Sequence, residues 1–196
     1  MLISASSDKH YAENDIWHLL KNGSREAVNL LVYRYYDDLL RYGSSFCNNT
    51  LLVEDMIQDL FCELCQKPEG ISHINFIKPY LFTSLRRRIF RQMSRDRKVL
   101  QIDTADADGL RFEVEFSPEE LMVRKEEKAK LAYAITEYIQ RLSPRQRESI
   151  YLRFYENLSY EAISGIMDIS VPYLYLLVHK SLTRIRKLLN GKDIKI

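Results

Sequence analysis

The sequence predicts an all-α protein of two small helical domains, joined by a flexible acidic linker, with a helix-turn-helix in the C-terminal domain. Three observations support this fold class. Apolar residues recur at helical spacing, no segment shows the two-residue alternation of a strand, and Leu142 to Leu189 has the spacing of a helix-turn-helix unit. We place the domains at 8–98 and 119–190, with the linker at 99–118.

Charge is distributed unevenly along the chain, although the formal net charge of the 196 residues is only +2. Residues 76–98 carry eight lysines and arginines against one aspartate, a net charge of +7. Residues 99–120 carry one arginine against seven acids, a net charge of −6, and residues 121–196 carry fourteen basic against eight acidic residues, a net charge of +6. The two basic segments suit binding to the phosphate backbone of nucleic acid.

The three cysteines, Cys47, Cys62 and Cys65, cannot form a paired disulfide framework, which fits a reduced, cytoplasmic protein. Cys62 and Cys65 form a CxxC, but no second cysteine pair or suitably spaced histidine follows them. We therefore predict no metal and no other cofactor. The sequence has no long apolar run and no signal-peptide pattern, so we expect a soluble protein without membrane insertion.

Three helices are predicted in the first part of the N-terminal domain. A short amphipathic helix at 15–20 is broken by Asn22 and Gly23, and Ser24 caps a longer helix whose apolar residues recur at helical spacing as far as Tyr42. The third helix, at 51–66, is the cleanest amphipathic segment. Its predicted core stripe is Val53, Met56, Ile57, Leu60, Phe61, Leu64 and Cys65. Its opposite, acidic face carries Asp55, Gln58, Asp59, Cys62 and Gln66.

That acidic face has two other interpretations, an ordinary solvated surface and a di-metal site. A di-metal site of this kind needs Glu-x-x-His motifs on partner helices. No histidine of this chain lies three residues after a glutamate, so the metal interpretation is rejected.

An arginine-rich helix follows a loop at 67–75. Its predicted inward residues are Tyr80, Leu81, Leu85, Ile89 and Met93, and its outward ones are Arg86, Arg87, Arg91 and Arg95. Aromatic residues beside an arginine-rich face suit single-stranded or partly melted nucleic acid, because cations bind phosphate and rings stack on unpaired bases. The alternative is a solvated basic face.

The segment from Val99 to Ser117 has no helical periodicity and is rich in Asp, Gly and Ala, which predicts a flexible acidic linker. Ser117 and the following Pro-Glu-Glu begin a predicted helix that runs to Arg141, and Ser143 caps the next helix.

The predicted helix-turn-helix begins at Tyr160. Apolar residues occupy the five positions where its two helices share a core: Ile163, Met167, Ile169, Leu174 and Leu177. Ser164 is small enough for the helices to approach, and Asp168 stands at the turn position that needs positive φ. Ser159 and Ser170 are the predicted N-caps, and Pro172 falls in the first turn of the second helix. The alternative is a helical hairpin of another kind with a tight turn.

This order of elements resembles a bacterial RNA polymerase sigma factor of the small, two-domain extracytoplasmic-function group, in the sigma-70 superfamily. The resemblance covers nearly the whole chain. VEDMIQDLF at Val53 to Phe61 is similar to the family's polymerase-binding helix, and LSPRQRESIYLRFYENLSYEAI at Leu142 to Ile163 is similar to the entry into its promoter-reading domain. The resemblance implies a sigma region 2-like domain at 8–98, a region 4-like domain at 119–190, and no enzymatic activity.

The resemblance also implies roles for particular residues. Polymerase binding falls to Asp55, Gln58, Asp59 and Gln66. Capture of a flipped base and melting of the minus-ten promoter element fall to the loop Lys67 to Phe76 and to Tyr80, Arg86, Arg87, Arg88 and Arg91. Binding of the minus-thirty-five element falls to Arg145, Arg147, Pro172, Tyr173, Tyr175, Leu176, His179, Lys180 and Arg184.

This chain departs from the family pattern at three places. Arg87 stands where Asn is common, and Asp168 stands where the turn usually has Gly. The first two turns of the recognition helix carry Tyr and Leu instead of the Arg, Lys, Asn or Gln that read base edges by bidentate hydrogen bonds. We therefore expect Lys180, Arg184 and Lys187, together with Arg145 and Arg147, to position DNA by phosphate contacts that carry no sequence information.

Three hypotheses about function follow. The first is a sigma factor that binds core RNA polymerase and promoter DNA, with an anti-sigma factor as a further partner. The second is a helix-turn-helix regulator that binds DNA without polymerase, and the third is a helical protein-interaction adaptor that uses the Tyr- and Leu-rich helix face. An enzyme is disfavoured because the sequence has no Gly-rich phosphate loop, no nucleophile elbow and no metal-ligand cluster.

Overall fold

The computed structural model describes residues 13–66, 76–100, 111–114 and 135–190; within these ranges there are helices and no strand, and residues 111–114 are not helical. The N-terminal half contains α1 (Glu13–Lys21), α2 (Arg25–Ser44), α3 (Thr50–Gln66) and α4 (Ile77–Leu100). The C-terminal half contains α5 (135–140), α6 (Pro144–Ile150), which continues as a π-helical turn at Tyr151–Tyr155, α7 (Tyr160–Met167) and α8 (Val171–Asn190). The predicted all-α class is confirmed.

Several predicted features fall outside the described residues. They are the loop at 67–75, the linker residues 101–110 and 115–118, and the start of the helix predicted from Ser117.

Serine side chains begin four of the helices, as the sequence predicts. The hydroxyl oxygens of Ser24, Ser143, Ser159 and Ser170 each accept a hydrogen bond from the backbone N–H three residues on. Each bond satisfies one of the donors that have no partner in the first turn of a helix. At Ser143 the Gln146 side chain also accepts from the Ser143 N–H, which completes a capping box.

The N-terminal half packs α2, α3 and α4 around one apolar core. The apolar residues of α2 that recur at helical spacing, Ala27, Leu31, Tyr35, Leu39 and Tyr42, are all buried as predicted. Cys65 was predicted to lie on the core stripe of α3 and is exposed instead. An α-helix has 3.6 residues per turn, so the twelve residues from Val53 to Cys65 do not make a whole number of turns. Cys65 therefore lies on a different side of the helix from Val53.

The C-terminal half contains the predicted helix-turn-helix, with α7 and α8 meeting at a bend of 101°. Ile163, Met167, Leu174 and Leu177 are buried between them, and Ile169 is partly buried. Asp168 has φ 55°, in the left-handed region that its position requires. The Ser164 hydroxyl closes the turn by donating to the Ile169 carbonyl at 2.6 Å.

The two halves meet at a buried aromatic cluster that includes part of the linker. The ring of Phe112 lies 6.0 Å from that of Tyr42 on α2, 5.0 Å from that of Phe46, and 5.8 Å from that of Tyr151 in the π-helical turn. Phe112 is fully buried and Val114 nearly so. The aromatic contacts therefore join both halves into one continuous core.

The expectation of a flexible linker is consequently wrong for residues 111–114. The Glu113 N–H donates to the Ser45 carbonyl at 2.8 Å, and the Gln140 side chain donates to the Val114 carbonyl at 2.7 Å, so the segment is tied to both halves. Phe112 and Val114 alternate with charged residues, which places both apolar side chains on one side of an extended chain. A search for helical periodicity misses this pattern.

Candidate nucleic-acid and polymerase interface

The exposed face of α3 carries the four residues predicted to bind polymerase. Five apolar side chains anchor the opposite face: Val53, Ile57, Leu60, Phe61 and Leu64. Asp55, Gln58, Asp59 and Gln66 are all exposed. The helix therefore holds two carboxylates and two amides rigidly toward solvent, where a docking partner can reach them.

The five residues predicted for the minus-ten element lie on α4 in different environments. Arg87 and Arg91 are exposed and one turn apart, so they share a face of the helix. Arg88 pairs with Glu63 of α3 at 2.5 Å, and Tyr80 packs partly buried against the core. The prediction that Arg86 faces outward is wrong: its side chain is largely covered, because it pairs with Glu148 of α6. Of the predicted base-capture loop, residues 67–75 lie outside the described ranges, and Phe76 at its end is 68% exposed.

Arg86 forms a buried ion pair with Glu148 of α6. Its Nε donates to Glu148 Oε1 at 2.7 Å and its Nη2 donates to Oε2 at 3.3 Å. The Tyr42 hydroxyl donates to the same Oε1 at 2.7 Å, and the Glu148 side chain is fully buried. Burial raises the pKa of the Tyr42 phenol well above its usual value, and the neighbouring carboxylate raises it further. The buried charge is thus compensated by one cation and one neutral donor.

A second polar contact joins the two halves nearby. Lys78 of α4 pairs with Glu156 at 2.7 Å and with Asp38 at 3.5 Å. Burial raises the pKa of Glu156, although Lys78 opposes that shift. The Arg41 guanidinium lies 5.1 Å from the centre of the Tyr155 ring, a cation–π contact between α2 and the π-helical turn. The halves are therefore joined by charged groups as well as by aromatic rings.

The exposed face of α8 is apolar in its first two turns and basic beyond them. Pro172, Tyr173, Tyr175 and Leu176 are exposed near its start, and His179, Lys180 and Arg184 are exposed farther along. An open groove of about 410 Å³ is lined by His179, Lys180, Thr183, Arg184 and Lys187. This face combines apolar contact area with cations, as a surface that meets duplex DNA requires.

Arg145 and Arg147 of α6 are less accessible than the sequence suggested. Both are only partly exposed. Arg147 donates to the Gln140 side chain at 2.8 Å, and burial lowers the pKa of its guanidinium. The side chains of Arg145 and Arg147 are therefore less exposed to solvent than the cations of α8.

The residues that join the two halves were not identified from the sequence. Glu148 precedes the buried Tyr151 and Leu152 by three and four residues, so it lies on the core face of its helix. That position predicts a buried carboxylate and hence a nearby cation. The identity of the cation depends on how the two halves pack, which no local pattern specifies.

In the ranges 13–66, 76–100, 111–114 and 135–190, no group of three or more His, Cys, Asp or Glu residues could hold a metal ion. Within the same residues, no single helix is long and apolar enough to cross a membrane. Only α7 and α8 taken together pass such a test, by length and composition, across their bend of 101°.

The fold and the exposed surfaces define a helical DNA-binding protein with a C-terminal helix-turn-helix. The family model "Sigma-70 region 2" matches residues 31–99, and "Sigma-70, region 4" matches residues 132–189. The chain belongs to the extracytoplasmic-function sigma factors of the sigma-70 family. It is a transcription initiation factor without enzymatic activity, which binds core RNA polymerase and directs it to promoter DNA.

Two curated relatives come from Bacillus subtilis (strain 168). The chain is 24% identical over 163 residues to the ECF RNA polymerase sigma factor SigM, covering 83% of this chain and 95% of SigM. It is 21% identical over 163 residues to the RNA polymerase sigma factor YlaC, covering 83% of this chain and 92% of YlaC. The matches extend across both halves of the chain.

Two solved structures share the fold. One is CnrH in complex with the cytosolic domain of CnrY, with a TM-score of 0.58 and 16% identity over 93% of this chain and all of that chain. The other is the sigma factor RpoE from Bartonella quintana in complex with the anti-sigma factor NepR, with a TM-score of 0.57 and 22% identity over 83% of this chain and 96% of that chain. The sigma-factor hypothesis drawn from the sequence is confirmed over the regulator and adaptor hypotheses by the family assignment.

Proposed function

We propose that three separate surfaces divide the work of initiation in this sigma factor. The domain at 8–98 binds core polymerase and helps to melt the minus-ten element. The linker at 99–118 enters the nucleic-acid channels of the polymerase after its buried residues 111–114 are released from the core, and the domain at 119–190 binds the minus-thirty-five element. The observation that carries this proposal is the separation of charge between the exposed acidic face of α3 and the exposed cations of α4 and α8.

Core polymerase binds Asp55, Gln58, Asp59 and Gln66 in this proposal. Their exposure supports it, because a docking face must be accessible before the partner arrives. Carboxylates on a rigid helix also attract a basic partner surface over a distance and so raise the rate of association.

The minus-ten element contacts α4 through Tyr80, Arg86, Arg87, Arg88 and Arg91 in this proposal. Arg87 and Arg91 are supported by their exposure on one face of the helix. Arg86 and Arg88 are engaged by Glu148 and Glu63, so they join the DNA contacts only after these carboxylates release them.

The minus-thirty-five element lies along α8. Lys180 and Arg184 neutralise phosphates and His179 contacts the DNA beside them, while Pro172, Tyr173, Tyr175 and Leu176 approach the base edges. Arg145 and Arg147 add phosphate contacts near the start of α6. The basic groove on α8 supports this arrangement because it continues the exposed face of the same helix.

An anti-sigma factor is a further proposed partner, since RpoE of Bartonella quintana was solved in complex with the anti-sigma factor NepR. Because the protein acts on core polymerase and promoter DNA, we expect it in the cytoplasm. A cognate inhibitor is expected to abolish transcription by the reconstituted holoenzyme and to have no effect on a holoenzyme with an unrelated sigma factor.

Reconstitution tests the proposal directly. The purified chain is mixed with core polymerase and genomic DNA fragments, and transcript 5′ ends are mapped. Defined starts that depend on the chain support the proposal. Failure to bind core polymerase, or starts identical to those of core alone, would overturn it.

A further inference from the structure

The first two turns of α8 lack every side chain that reads bases by bidentate hydrogen bonds. Residues 171–178 are VPYLYLLV, without Arg, Lys, Asn or Gln. Recognition of guanine or adenine in the major groove ordinarily uses one of these four residue types. Sequence reading by this part of the helix must therefore use another group on the base edge.

Three large side chains are exposed on these turns: Tyr173, Leu176 and Tyr175, the last of which is 51% exposed. Tyr173 is 44% exposed and Leu176 is 47% exposed, and their spacing of three residues places them side by side. Tyr175 is engaged differently. Its ring stacks on that of Tyr160 at 3.9 Å, and the Arg153 guanidinium lies 5.1 Å from the centre of the Tyr160 ring. The exposed ring of Tyr175 is thus also stacked on a residue of α7, so Tyr173 and Leu176 are the exposed side chains without that restraint.

The charge on the same helix identifies duplex DNA as the occupant of this face. The exposed surface continues directly into the groove lined by His179, Lys180, Thr183, Arg184 and Lys187. When the phosphates of duplex DNA contact this groove of the protein, the preceding turns of α8 lie against the major groove of the DNA.

We propose that α8 recognises thymine through its C5-methyl group, and that Leu176 and Tyr173 determine this specificity. The inference rests on the proposed function of α8 in binding the minus-thirty-five element. Among the major-groove edges of the bases, the thymine methyl is the apolar group that an exposed leucine and tyrosine ring can contact. The expected promoters therefore carry one or more thymines at fixed positions opposite these turns.

Single replacement of thymine by deoxyuridine in the mapped minus-thirty-five region tests this inference. The replacement removes the methyl group and retains base pairing and the O4 acceptor. Holoenzyme affinity is expected to fall about 5- to 10-fold at one or two positions, in keeping with the size of a single base contact. With Leu176→Ala the same replacements are expected to have less than half that effect, because the contact is already absent.

Leu182→Ala is the matched control, because Leu182 is 43% exposed on the same helix beyond the turns in question. This variant should keep the full sensitivity to deoxyuridine. Uniform tolerance of deoxyuridine, or full sensitivity in both Leu176→Ala and Tyr173→Ala, would overturn the inference. A wild-type holoenzyme without defined transcripts would instead overturn the proposed function.

Discussion

The α-carbon of Gly43 on α2 packs directly against the side chain of Val53 on α3. A methyl group added at Gly43 would overlap Val53 Cγ1 and would contact Leu85 Cδ2 of α4 at 3.4 Å. Three helices of the N-terminal half thus approach one another at a residue without a side chain. This close approach positions α3, with its acidic face, against α4, with its arginines.

Gly43→Ala is therefore expected to destabilise the protein. Overpacking costs about 1–3 kcal/mol, and the gain in helix propensity of about 0.5–1 kcal/mol offsets only part of it. Gly165→Ala in α7 is the control, since its added methyl group would meet nothing within 4 Å. We expect Gly165→Ala to raise the free energy of unfolding, measured by urea denaturation, and Gly43→Ala to lower it. Equal effects of the two variants would refute the packing argument.

Arg86→Ala should be among the most destabilising substitutions on α4. It leaves the fully buried Glu148 without its cation, and removal of one partner of a buried ion pair costs about 3–5 kcal/mol. The neighbouring Arg87 is exposed, so Arg87→Ala should change the free energy of unfolding by less than about 0.5 kcal/mol. Urea denaturation of both variants measures the difference, and a cost below about 1 kcal/mol for Arg86→Ala would contradict the prediction.

Charge reversal at Asp55 and Asp59 should weaken binding to core polymerase by about 10-fold or more, because it places two lysines where the proposed docking face has two carboxylates. Both residues are exposed, so stability should change little. The control is the double variant Asp15→Lys and Glu26→Lys, which makes the same charge change at exposed positions of the same half. Binding is measured by fluorescence anisotropy. Equal losses in the two variants would show that only net charge matters.

Alkaline pH should destabilise the protein through Tyr42. Burial and the Glu148 carboxylate raise the pKa of this phenol, so the folded protein retains a proton that the unfolded chain loses above its ordinary value of 10.0. The folded state then binds more protons than the unfolded state, and the free energy of unfolding falls as pH rises through that value. Tyr42→Phe should show a shallower fall between about pH 9 and pH 11. Parallel pH profiles for the two proteins would exclude this linkage.

Local chemistry was sufficient to predict much of this structure. Ser159 and Ser170 begin their helices where a short polar side chain follows a break, and Asp168 adopts the left-handed conformation that its turn requires. The exposed face of α3 follows from its periodicity. Each of these features depends on residues within one or two turns of each other.

The contacts between the halves could not be predicted in the same way. The Tyr42–Glu148 hydrogen bond joins residues 106 positions apart, and the Arg86–Glu148 pair joins residues 62 positions apart. Such pairs depend on how preformed helices pack, and periodicity carries no information about that. The burial of Phe112 was missed because an acidic, Gly-containing segment was expected to remain solvated.

The position of Phe112 has a practical consequence for experiments that cut the protein in two. Division between the two matched regions would leave Tyr42 and Phe46 on one fragment and Tyr151 on the other, with their rings open to water. Such fragments are expected to bind one another or to aggregate. The DNA affinities of separately purified halves will therefore misrepresent what each half contributes within the intact factor.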